Sequence, residues 1–300
     1  MADGSSSPGG YSGLGGEAYC LDALRRGDRD RYLILLFAPR RDRAVLAALY
    51  AFNLECALGV MAGGEQPLLG QMRLQWWRDG LEAAALNSGG EATHPVLSLL
   101  AGRRDLLPGL LDILAARERD LTDPPFANLA EVIVQAQATG GALAALANRA
   151  VKYEALNSEV VGDGHLDAAR AAGTAYALAG MLRAIPFQAP GRGSQGRLCL
   201  PDDMLAGQGL TADDIWSGQQ RAAVTECVGQ IAAVAAREVD KLTDLGRAGG
   251  SLSPLLHGSL ARAYLRRLAK AGNDPFAPDL GLNPLARPLM LCWRALLRRP

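Results

Sequence analysis

The feature that most restricts what this chain can fold into is alanine and leucine recurring at helical spacing, with almost nothing strand-like between. Apolar positions repeat three and four apart through most segments, and no apolar/polar alternation runs for more than a few residues. Aromatic residues make up only 5% of the chain. Sheets favour β-branched and aromatic side chains, so this usage argues for helices packed on helices. With 49% apolar residues in 300, one large core is within reach. No internal repeat and no linker divides the chain after Gly27. The expectation is an all-α protein with one domain over residues 17–300, preceded by a Gly/Ser-rich disordered tail over 1–16.

Local punctuation predicts where the helices begin and end. Residues 21–37 read as one helix or a helix pair, stopped before Pro39. Asp42 is placed to cap a helix over 43–61, and the Gly63-Gly64 pair ends it. Further helices are expected over 68–86, from His94-Pro95 onward, and over 106–121 up to Asp123-Pro124-Pro125. A long one spans 128–150, with Gly140-Gly141 expected to weaken its centre. Residues 166–185, 216–245, 252–271 and 288–298 complete the set. Thr211 with Asp214 resembles a capping box opening the 216–245 helix, and the acids of Asp202-Asp203 and Asp213-Asp214 suit helix starts.

Thirty-one basic and 31 acidic residues cancel, so no global field draws the chain to nucleic acid or an anionic surface. The five cysteines (Cys20, Cys56, Cys199, Cys227, Cys292) lack metal-ligand spacing, and His94, His165 and His257 lie far apart. They read as buried thiols in a reducing compartment and isolated histidines, with no metal site assigned. No basic start leads into an apolar stretch, so there is no signal-peptide pattern. No uninterrupted apolar run reaches membrane-spanning length; the longest, 168–182, is broken by Arg170. A cytoplasmic location is expected, at most peripheral on the inner face of a membrane. The segment 288–299 has two readings: an interfacial helix, or, preferred, a last helix docked on the core with a solvated basic end.

Several motifs then occur in a fixed order. Phe37-Ala38-Pro39-Arg40 leads to Leu49-Tyr50-Ala51-Phe52, and Leu74-Gln75-Trp76-Trp77-Arg78 follows. His94-Pro95-Val96 and Arg117-Glu118-Arg119-Asp120-Leu121 come next, then Leu182-Arg183, Gly196-Arg197 and Leu200-Pro201. Together they resemble the squalene/phytoene synthase family over about residues 23–205. Gln135 falls where that family often has a tyrosine. The resemblance implies a helical isoprenoid synthase bundle around a central cavity. It also implies head-to-head condensation of prenyl diphosphates, in which carboxylates on two facing helices hold magnesium against the leaving diphosphate.

This sequence departs from the family at those carboxylates. The acid positions of the first motif hold Ala57, Leu58 and Met61, and the preceding Arg position holds Leu54. In the second motif the Asn and Asp positions hold Gly180 and Ala184. Glu55 is two residues early, about 200° around a helix from the first acid position. The resemblance therefore places Arg183, Ala184, Gly180, Ala57, Leu58, Met61 and Tyr50 around a degenerate diphosphate site, with no catalytic residue and no metal ligand. Two nearby patterns have plainer readings: Arg117 to Asp120 as a salt-bridged surface, and Trp76-Trp77 as core and interface packing.

Ala51-Phe52-Asn53-Leu54-Glu55 and Arg183-Ala184-Ile185-Pro186-Phe187 resemble one divergent branch of the family. That branch includes a mitochondrial protein required for assembly of respiratory complex I. It implies a non-catalytic protein that binds a prenyl chain, a lipid or a membrane-enzyme subunit, with no cofactor. The alternative is an active prenyltransferase using displaced acids such as Asp240 and Asp244, for which magnesium would be needed. A third option is other, metal-independent chemistry in the same cavity.

Overall fold

The computed structural model describes residues 15–62, 66–86, 94–122, 125–151, 163–188, 198–218, 220–245, 252–278 and 280–297. The tail over 1–14, the Gly-rich loop with Gly196-Arg197, and the Gly63-Gly64 and Asp123-Pro124 turns lie outside the described residues. Those described form helices and connecting turns, with no strand among them. In chain order the helices are α1 (Gly16–Gly27), α2 (Arg29–Leu35), α3 (Arg43–Ala62), α4 (Pro67–Leu86) and α5 (Pro95–Leu100). Then come α6 (Leu107–Thr122), α7 (Leu129–Ala136), α8 (Ala142–Ala150), α9 (Asp163–Ala184), α10 (Asp202–Gly207) and α11 (Ala212–Ser217). The last are α12 (Arg221–Leu245), α13 (Leu252–Lys270) and α14 (Ala286–Leu296).

Two helices organise the packing. α3 touches α1, α4, α5, α6 and α8, and residues from Leu46 to Phe52 have no exposed surface at all. A helix apolar on every side is stable only when surrounded, which fixes α3 in the core. α9 packs against α7, α8, α12 and α13. Its first half joins the core around α3, and Leu178 and Leu182 join a second core with Val132, Leu200, Ile215 and Val228.

Local chemistry explains most boundaries. Asp28 breaks the 21–37 segment into α1 and α2, because its carboxylate accepts the Arg31 backbone N–H at 3.0 Å and caps α2. His94 caps α5 through its ring, which accepts the Val96 N–H at 3.3 Å. One expectation is corrected. The Thr211–Asp214 capping box forms, but it opens the six-residue α11; Gly218, at φ 70°, ends that helix before α12 starts. At Gly140-Gly141, where the centre of the 128–150 helix was expected to be weak, the regular α-helix gives way to a π-helical turn over Gln137–Gly141 that joins α7 to α8. That turn is where α9 crosses. A Cβ on Gly140 would lie 2.6 Å from the Gly173 carbonyl oxygen, so the glycines let two backbones touch.

Two stretches, Arg40–Met61 and Leu129–Ala150, are long and apolar enough to cross a membrane by length and composition, although the expectation was that none would be. Each tolerates a few polar residues that an uninterrupted-run criterion rejects. In each, 56% of the most apolar 18 residues is buried inside the protein, as in a core helix.

Candidate functional site

A cleft of about 310 Å³ opens where the α3 group meets the end of α9. Ala57, Val60 and Met61 of α3 form one wall. Met181 and Ala184 of α9, with Phe187 from the 3₁₀ turn after it, form the other. Leu121, Phe126, Leu198 and Cys199 complete the apolar lining, and burial pushes the Cys199 thiol up to about 12, so it stays protonated. α6 supplies the charge: Arg117 and Asp120.

These two groups neutralise each other. Arg117 Nη1 lies 3.2 Å from Asp120 Oδ2, and its Nη2 donates to Asn53 Oδ1 at 3.3 Å. The other Asp120 oxygen accepts from Gln135 Nε2 at 2.8 Å, and the same amide donates to the Ala116 carbonyl. The salt bridge expected within Arg117 to Asp120 forms, and it lies in the cleft wall rather than on an open surface. An i, i+3 pair was foreseeable from spacing, but which side of α6 it faces depends on α3 and α7.

The sequence-predicted site residues separate into three environments. Ala57, Met61 and Ala184 line the cleft. Leu58 is half exposed and outside the lining, and a Cβ on Gly180 would meet nothing within 4 Å. Arg183 is also not part of the cleft wall: its guanidinium lies over the Tyr264 ring, 3.6 Å from the centroid. Tyr50 is fully buried beside His257, and its hydroxyl makes no hydrogen bond. Glu55 faces α1, where it accepts the Tyr19 hydroxyl at 2.6 Å.

Behind Arg183 lies a cluster that sequence reasoning missed. Asp30 is buried and accepts from Tyr264 at 2.6 Å, Tyr176 at 3.0 Å and Arg287 Nη1 at 2.8 Å. Next to it, Asp28 holds Arg31 Nη1 at 2.6 Å. The Tyr264 and Tyr176 hydroxyls are pushed well above the usual tyrosine range, first by burial and then by the nearby carboxylates. His257 is pushed down to about 4 by burial, with Arg31 adding to the effect.

The magnesium site of the prenyltransferase alternative does not fit these residues. Among the described residues, the carboxylate in the cleft lining, that of Asp120, is already held by Arg117 and Gln135. Among the described residues no three His, Cys, Asp or Glu side chains come together to hold an ion. Asp240 is exposed on α12, its neighbour Glu238 pairs with Lys241 at 2.6 Å, and the Asp244 side chain lies outside the described residues.

The similarities to known proteins agree with this architecture. The chain is similar to NADH dehydrogenase (ubiquinone) complex I, assembly factor 6, of Bos taurus, at 29% identity over 98% of this chain and 87% of that protein. The Homo sapiens protein of the same description is 27% identical over 97% of this chain and 85% of its own length. Among solved structures, a dehydrosqualene synthase in complex with ligand superposes with a TM-score of 0.74 at 16% identity, covering 94% of this chain and 96% of that one. Squalene synthase HpnC from Alicyclobacillus acidocaldarius gives a TM-score of 0.67 at 19% identity, covering 87% and 95%. At such identities these two likenesses show the fold alone. Residues 24–294 match the family description squalene/phytoene synthase, and the chain belongs to that family.

Proposed function

We propose that this chain is a non-catalytic binding protein on a synthase fold, acting as an assembly-type factor for a membrane-bound NADH dehydrogenase of the complex I kind. The observation that carries the reading is the state of charge in the cleft. Ionising a prenyl diphosphate requires cations aimed at the leaving group. Among the described residues, the guanidinium in the cleft lining, that of Arg117, is committed to Asp120 and Asn53, and Ala57, Met61 and Ala184 offer no carboxylate for a metal. The near-full-length similarity to assembly factor 6 proteins supports the assembly role. An apolar cleft with internally paired charge suits an uncharged chain, prenyl or lipid, better than a diphosphate. Work on a respiratory enzyme would place the protein on the cytoplasmic side, at the inner membrane face.

The test is made in the source cells. Tagged protein, crosslinked and purified, is expected to bring down a subunit of the NADH dehydrogenase. Deletion is expected to lower NADH-linked respiration, with rescue by the wild type and by Asp120→Asn. Unchanged respiration together with no recovered subunit would overturn the assembly reading.

A further inference from the structure

α14 is attached to the protein by one face only. Leu291 is completely buried, Met290 packs on the core, and Arg287 reaches inward to Asp30. On a helix that turns about 100° per residue, Leu285, Leu289, Trp293 and Leu296 fall within an arc of about 80°, centred roughly opposite Leu291. Their exposures are 78%, 70%, 61% and 77%. The expectation of a last helix simply docked on the core accounts for Leu291 and leaves this stripe unexplained. Large apolar side chains lined up in the open mark a contact surface.

Charge selects the occupant. From Leu280 to Pro300 the sequence carries four arginines and no acid, although the whole chain is neutral; Arg287 is already held by Asp30, so the excess charge lies at Arg294, Arg298 and Arg299. An apolar stripe bearing a tryptophan, in an arginine-only segment, is the composition of a helix lying in the headgroup region of an anionic bilayer. We propose that α14 docks this protein on an anionic phospholipid surface, with Leu285, Leu289, Trp293 and Leu296 inserted at the acyl boundary. The proposal stands on the helix alone and is independent of the assembly reading.

Purified full-length protein is sedimented with vesicles of phosphatidylcholine alone, and with vesicles in which about a quarter is phosphatidylglycerol. The expected result is at least about tenfold tighter binding to the anionic vesicles, weakening as salt rises. The pair Leu289→Glu and Trp293→Glu is expected to lower that binding at least about tenfold with unchanged thermal unfolding, because both side chains are exposed. Equal binding by wild type and variant, no preference for the anionic vesicles, or no vesicle binding overturns the proposal. Self-association that the variant abolishes, in the absence of vesicle binding, also overturns it and assigns the stripe to a second copy of the chain.

Discussion

Arg183 and Ala184 are neighbours at the end of α9, yet they face two regions that treat charge in opposite ways. Ala184 looks onto the cleft, where apolar side chains surround the largely buried pair of Arg117 and Asp120. Arg183 lies on Tyr264, beyond which Asp30 is buried under two phenols and Arg287. Among the described residues, one region carries a single carboxylate, and Arg117 neutralises it. The other keeps a carboxylate deep inside, and its partners hold α2, α9, α13 and α14 together. In this chain, acid near the end of α9 is structural where it is buried and self-compensated where it meets the cleft.

That contrast is broken most forcefully at Asp30. Asp30→Ala removes the acceptor of two phenols and of Arg287 Nη1, leaving a largely buried guanidinium with only the Leu282 carbonyl, and the cost is expected at about 3–5 kcal/mol. Urea unfolding measures it; a loss below about 1 kcal/mol would mean that the cluster does not hold the helices. His257 comes second. Its folded value of about 4 lies below the ordinary 6.5, so the unfolded chain binds the proton first as pH falls. The stability it contributes is complete above about pH 6.5 and is lost by about pH 4, on the order of 3 kcal/mol. His257→Phe should flatten that part of the acid-side decline in thermal unfolding; an unchanged slope would remove His257 as its source.

The cleft is expected to be more tolerant. Arg117→Ala breaks a pair whose side chains are 21% and 18% exposed, so a loss of about 1 kcal/mol is anticipated, well short of Asp30. Equal losses at the two sites would erase the comparison. Smallest is Gly180→Ala, where a Cβ meets nothing within 4 Å; helix propensity predicts a gain of about 0.5–1 kcal/mol in thermal unfolding, and a clear loss would reveal a packing role.

Much of the helical framework was legible because caps, prolines and glycines act within a few residues. His94 sits at the start it was placed to mark, and α3 carries its burial in its composition. The Gly218 break was not, since it depends on one residue entering the left-handed region. The π turn at Gly140 was hidden because its cause, Gly173, lies on another helix. Asp30 was the least legible: its partners are 146, 234 and 257 residues away, so no sequence window reports its burial. Of the residues to which the motifs pointed, Ala57, Met61 and Ala184 line the cleft, and motif order gave no warning that Arg183 turns from it to Tyr264.

The central claim is that the cleft binds without ionising a diphosphate. Purified protein incubated with farnesyl or geranylgeranyl diphosphate and magnesium tests it most directly, by following released diphosphate. The account predicts release no faster than in buffer with magnesium alone. Magnesium-dependent release at synthase-like rates, abolished by Asp120→Ala or by the pair Asp240→Ala and Asp244→Ala, would contradict it.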